Sequence, residues 1–288
     1  MTPDIEHLRE WIGRTQSATD TASIAPLKAL SAVLDRDDTP LDMGDSIPPC
    51  WHWLYFLPTA SQAELGVDGH PKRGRFLPPV PLPRRMWASS ELSYESPLRV
   101  GQTLRRNSRI TDVRIKEGRS GTLVFVDVQH EMMADDILST TELQHIVYRE
   151  LPSPGSVTQQ SVDIGDEAPR DEQWSRRIEP TEVLLFRYSA LTFNGHRIHY
   201  DRPYATKVEG YPGLVVHAQL IATFLLELLN HKLPGANING FSFRAVKPLF
   251  DVAPFEVCGR MEDPQNASLW VRDARGYLAM EAKAKLSI

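Results

Sequence analysis

The segment that most limits what this chain can fold into is Ala218 to Leu229, Ala-Gln-Leu-Ile-Ala-Thr-Phe-Leu-Leu-Glu-Leu-Leu. It is too long for an ordinary strand and too short for the roughly 20 apolar residues that a membrane helix requires. A helix apolar on nearly every side must be surrounded by protein, so the rest of the chain has to wrap around it. His217 opens the run, Tyr211-Pro212-Gly213 lies just upstream, and Leu233-Pro234-Gly235 stops it. Before it comes Phe193-Asn194-Gly195-His196-Arg197-Ile198-His199-Tyr200-Asp201. Asn-Gly signals a turn, and the histidines and arginine leave no apolar helix face. A polar turn placed near the start of a buried helix suits acyl chemistry. The first-turn N–H groups lack intrahelical partners and favour developing negative charge.

Upstream, Ile5, Leu8, Trp11 and Ile12 sit at helical spacing and predict a short docking helix over 5–12. A second helix is expected to start between Asp20 and Leu30. Residues 35–49, rich in Asp and Pro, read as loop. Trp51 to Leu57 is densely aromatic, which more often means core packing than ligand stacking. Gly66 to Pro83 is broken by prolines that central strands exclude, so it is an irregular excursion of a length usually tied to function. From Ser90 the pattern turns to strands, at Thr103 to Ile115, Gly121 to Gln129 and Thr141 to Arg149, with a turn over 118–121. Thr122 to Val128 is apolar on both faces except at Asp127, as in a central strand. Residues 151–170, with prolines and small polar residues, read as a linker. Beyond the buried helix, strands are expected at Ile238 to Val246, Phe255 to Met261, Leu269 to Arg272 and Tyr277 to Ile288. The last alternates cleanly, with Leu278, Met280, Ala282, Ala284 and Leu286 on one face. A helix followed by antiparallel strands describes a sheet wrapped around it.

The chain is long enough, at 288 residues, for one large domain or two small ones. A net charge of −5 offers no general footprint for nucleic acid. Cys50 and Cys258 lie far apart in no ligand spacing, as reduced thiols do in a cytosolic protein. With no basic-then-apolar leader and no spanning segment, a cytoplasmic protein without membrane association is expected.

The motif resembles that of the MaoC-like, (R)-hydratase group of hot-dog enzymes, which carry Asp-x-Asn-Pro-x-His and then Pro-Ile-x-His-Gly at the start of the central helix. The variant here, with Phe241 to Phe250 (Phe-Ser-Phe-Arg-Ala-Val-Lys-Pro-Leu-Phe), is similar to a sub-branch: type 2 3-hydroxyacyl-thioester dehydratases and mesaconyl- or itaconyl-CoA hydratases. The resemblance implies an α+β double hot dog, two helix-wrapping sheets forming a pseudo-dimer. The expected halves are a non-catalytic one over 1–155, a linker over 156–170, and a half bearing the motif over 171–288. It implies His199 as the catalytic base, Asn194 at the position of the family Asp, and the Ala218 N–H as oxyanion donor at the family Gly. Asn for Asp and Ala for Gly are departures. An amide can orient water but cannot stabilise an imidazolium by charge.

The activity so implied is a hydro-lyase acting on an enoyl-CoA, most specifically itaconyl-CoA or mesaconyl-C4-CoA to citramalyl-CoA, in itaconate degradation. The alternatives are a 3-hydroxyacyl-thioester dehydratase of fatty acid metabolism and a non-catalytic acyl-CoA-binding protein. A neutral imidazole is suited to take a proton from water near pH 7. Arg197, Arg202, Arg84, Arg85 and Arg244 are the candidate partners for CoA phosphates or a substrate carboxylate. His196, His217, Tyr200 and Asp201 are expected to support the site. His196 and His199 have a ligand-like spacing, yet no third-ligand motif accompanies them, and neither metal nor cofactor is expected, CoA being part of the substrate. A homo-oligomer is expected.

Overall fold

The structure is a computed structural model that describes residues 3–37, 40–118, 121–150 and 165–287. Residues 156–164 of the expected linker lie outside the described residues. Its end is docked: Glu167 bridges Tyr277, and the Ala168 N–H donates to Gly276 O.

Among the described residues ten antiparallel strands form one sheet in the order β1-β3-β4-β5-β2-β7-β10-β9-β8-β6. The first five in that order are β1 (Thr15–Thr21), β3 (Thr103–Gly118), β4 (Gly121–Ala134), β5 (Ile137–Arg149) and β2 (Arg84–Tyr94). The others are β7 (Asn237–Ala245), β10 (Leu278–Ser287), β9 (Asn266–Asp273), β8 (Phe255–Asp263) and β6 (Trp174–Ile178). The expected two sheets are therefore joined edge to edge where β2 pairs with β7, Ser89 opposite Arg244 through Ser93 opposite Gly240.

The helices are α1 (Ile5–Arg9), α2 (Ile24–Val33), α3 (Glu182–Leu191) and α4 (Ala218–Lys232). As the apolar run requires, α4 is enclosed: Leu220 to Leu226, Leu228 and Leu229 are buried. It packs on β8, with β6 and β9 beside it. In the other half Leu27, Leu30 and Val33 of α2 are buried, and a single apolar core joins them to α4 and to strands of both halves. This is the double hot dog, with an α+β arrangement of helix and curved sheet in each half.

The outer face of the first half is also covered. Leu8 of α1, Val80 and Leu82 pack on Ile110, Val113, Val124, Val126, Val128 and Ile146. That explains why β4 is apolar on both faces. Its buried acid, Asp127, is met by Arg114 at 2.8 Å and His145 Nδ1 at 2.7 Å.

The second helix, α2, begins at Ile24, inside the expected range; Asp20 lies in β1, one residue before its end, and its carboxylate accepts the Phe56 N–H at 2.7 Å. Strand β2 starts at Arg84, before the expected Ser90, because Arg84 already pairs with Arg149. The aromatic segment is core: Trp51, Leu54 and Tyr55 are buried.

Candidate active site

Helix α3 is N-capped by Thr181, whose hydroxyl accepts the Leu184 N–H at 3.2 Å. It ends at Leu191, where the chain breaks sharply. Phe193 has φ of +48°, and the Asn194 N–H closes back on Ser189 O at 2.8 Å. A phenylalanine in the left-handed region costs on the order of 1–3 kcal/mol, so the turn is held by its surroundings. The Asn194 Oδ1 accepts the His196 N–H at 3.0 Å, an Asx turn. A short 3-10 turn, Arg197–His199, then carries the second histidine inward.

The loop at residues 66–70 is laid directly on this turn. A Cβ on Gly69 (φ +86°) would sit 1.8 Å from Gly195 O, and one on Gly195 would sit 2.7 Å from Gly69 O. Only glycine at both positions permits the approach. Arg197 straps the two together. Its backbone N–H donates to Asp68 O at 2.9 Å, Nη1 donates to Val67 O at 3.0 Å, and Nε and Nη2 hold Asp201 Oδ2 at 2.9 and 2.7 Å.

The result is a row of four imidazoles, three of them buried and His70 partly exposed. His70 and His196 have ring centres 4.0 Å apart, His196 meets His199 edge-on at 5.5 Å, and His199 stacks on His217 at 3.7 Å with 17° between planes. His70 Nδ1 lies 3.2 Å from Asp68 Oδ2, and His217 Nε2 lies 2.8 Å from Ser189 Oγ. Burial lowers the basicity of all four. It brings His199 to about 4, against the opposing pull of its Val215 bond. Burial and Arg85 bring His70 to about 4, against Asp68. His196 and His217 are held well below 6.5, first by burial and then by neighbouring imidazoles. All four rings are neutral at pH 7.

His199 Nδ1 lies 2.7 Å from Val215 O. A carbonyl only accepts, so Nδ1 carries the hydrogen and Nε2 keeps its lone pair. The ring lies against His217, the N-cap residue of α4, which makes no side-chain cap hydrogen bond. Ala218 follows at the first helical position, where N–H groups lack intrahelical partners. The His199 ring thus lies against the residue that precedes the uncapped start of α4.

The other expected site residues are dispersed. Asp201 is held by Arg197 and caps Tyr204 N–H at 3.1 Å. The Tyr200 hydroxyl donates to Gly195 O at 2.9 Å while its ring stays exposed. Arg84 is sealed in an ion pair with Glu209 at 2.8 Å, above the Tyr211 ring. Arg202 is taken by Glu182 and Asp251. Arg244 pairs with Glu281 at 2.7 Å on the outer sheet face, opposite the face that buries Phe241 and Phe243. Arg84, Arg202 and Arg244 are thus each engaged by carboxylates, and Arg197 straps two segments together. Arg85 alone of the five has its charge directed at the histidine row.

Asp68 and His70 were not among the expected residues. Their only sequence signal is Asp-Gly-His inside an irregular excursion, and the meeting with His196 crosses both halves of the chain. Among the described residues Asp68, His70 and His196 place potential ligand atoms within 4.8 Å of one another and could hold a metal ion. The Arg85 charge beside them raises the cost of adding a dication.

The model of the family described as hydroxyacyl-thioester dehydratase type 2 matches residues 50–251. The chain is 46% identical over 276 residues to a mesaconyl-C(4)-CoA hydratase of Chloroflexus aurantiacus, covering 96% of each chain. Its fold is similar to that of a MaoC-like dehydratase from Phytophthora capsici, with a TM-score of 0.70 at 13% identity over 99% of both chains. A Mycobacterium tuberculosis protein described as a double hotdog fold gives a TM-score of 0.61 at 13% identity, covering 96% of each.

Proposed function

The chain belongs to the hydroxyacyl-thioester dehydratase type 2 family, and from that membership we propose a hydro-lyase that adds water to an enoyl-CoA, mesaconyl-C4-CoA foremost. The observation that carries this proposal is the His199 ring, fixed by Val215 O with a bare Nε2 beside the uncapped start of α4. The relative in Chloroflexus supplies the acyl group, since the two chains align over nearly their whole length.

In this scheme His199 Nε2 takes one proton from water as the water oxygen bonds to the β-carbon. The π electrons move onto the thioester, and the Ala218 N–H holds the enolate oxygen. Such a donor contributes about 3–4 kcal/mol in the transition state. The enolate collapses by taking a proton at the α-carbon from the His199 imidazolium, which returns the base to its neutral form. Asn194 contributes at one remove. Its carbonyl is used in the Asx turn, which leaves the Nδ2 amide to orient water.

The test is a panel of thioesters offered to the pure protein, followed by enoyl-thioester absorbance. Mesaconyl-C4-CoA should be hydrated with the highest kcat/KM, above crotonyl-CoA. The family description also covers 3-hydroxyacyl thioesters, and a preference for a long 3-hydroxyacyl-CoA running toward dehydration would favour that substrate instead. Tight binding of every thioester with no absorbance change would refute a hydro-lyase.

A further inference from the structure

Among the described residues Arg85 makes no ion pair with a carboxylate. It follows Arg84 on β2, so the two side chains leave opposite faces of the strand. Arg84 takes Glu209, while Arg85 lies opposite Tyr148 of β5, half-buried. Its charge acts on Asp68, His70, His196 and Tyr148. The Arg85 charge acts on Asp68, whose two oxygens are turned to His70: Oδ1 accepts the backbone N–H at 3.0 Å and Oδ2 lies 3.2 Å from Nδ1. A half-buried guanidinium facing neutral imidazoles is an incomplete arrangement, since buried charge is costly unless paired.

The proposed substrate carries the missing partner in the right place. In mesaconyl-C4-CoA the free carboxylate is bonded to the β-carbon, the atom that receives the hydroxyl. Water in an attacking position sits about 3 Å from the base and about 3 Å from that carbon. The β-carbon must therefore lie within roughly 6 Å of His199 Nε2, with the carboxylate one bond beyond it, given those two spans. The His196 ring centre is 5.5 Å from that of His199, and His70 lies beyond it. The end of the row where Arg85 acts is thus within reach of the carboxylate.

We infer that Arg85 binds the substrate's free carboxylate, with His196 beside it and the Asp68-oriented His70 as the far wall of the pocket. The planar guanidinium fork matches a carboxylate bidentately. This inference rests on the proposed hydration reaction and makes Arg85 the residue that selects dicarboxylyl over monocarboxylyl thioesters. The Asp68-Gly69-His70 loop, clamped by Arg197, completes the pocket from the other half of the chain.

The experiment compares kcat/KM for mesaconyl-C4-CoA and crotonyl-CoA in the native protein, Arg85→Gln and Arg85→Lys. Arg85→Gln should lower the mesaconyl value by about 10²-fold or more, as expected for truncating one partner of a buried charge pair. Crotonyl-CoA, which has no carboxylate to lose, should change less than about threefold, and this activity also reports that the fold is intact. Arg85→Lys should fall between, and it gives the same ratio if the glutamine variant does not fold. Equal losses on both substrates would assign Arg85 to the shared CoA portion and overturn the inference, as would no loss on either. A native protein inactive on both substrates would sink the hydration reaction itself, a result visible before any variant is made.

Discussion

His199→Ala is expected to lower kcat for hydration by about 10²–10⁴-fold, the range for losing a positioned acid-base group. KM should change little, because the ring acts on water and not on the CoA portion. The variant should still fold. The lost bond leaves Val215 O unpaired, at about 1–3 kcal/mol, and the lost ring leaves a gap between His196 and His217. Circular dichroism and urea unfolding alongside steady-state rates separate the two effects. Near-native turnover in a folded variant would remove His199 as base and turn attention to His70, the imidazole oriented by a carboxylate.

The second large effect concerns stability. Arg84 and Glu209 are 7% and 9% exposed, and the pair ties β2 of the first half to the segment that precedes α4. Glu209→Gln leaves the Arg84 guanidinium buried beneath Tyr211 without its charge partner. It also alters the acceptor for the Tyr204 hydroxyl at 3.2 Å. Removing one member of such a pair typically costs about 3–5 kcal/mol. The double change Arg84→Met with Glu209→Leu should recover most of this, since a well-packed apolar pair avoids the desolvation cost. Urea midpoints measure both. A loss below about 1 kcal/mol in the single variant would mean that water reaches the pair.

Much of this architecture was legible in local pattern. Helix α4 is announced by a run that only a buried helix can satisfy, and β10 by clean alternation. The Asn-Gly turn and the inward position of His199 follow from short-range chemistry. What was not legible depends on pairing at a distance. β1, Thr-Gln-Ser-Ala-Thr-Asp-Thr, is an exposed edge strand without an apolar face, so nothing in its own residues marks it. β6 is likewise a short edge strand. Among the arginines, sequence alone could not sort ligand-facing from paired. Arg84 and Arg85 are neighbours in the chain, and only the strand's alternation sends one to Glu209 and the other toward the histidines. Asp68 and His70 were passed over for the same reason: a Gly–Gly contact across the two halves, at Gly69 and Gly195, brings them into the site.

The central claim is that His199 is a neutral imidazole with the proton on Nδ1 and a bare Nε2. Nitrogen NMR of ¹⁵N-histidine-labelled protein tests it directly, with His199→Gln used to assign the resonances. Because burial depresses the folded value to about 4 while an unfolded histidine titrates near 6.5, the stabilising contribution is fully present above about 6.5. It is lost as pH falls through about 4. The account predicts the Nδ1-protonated neutral tautomer from pH 7 down to about 5. An Nε2-protonated ring, or an imidazolium already formed at pH 6, would contradict it.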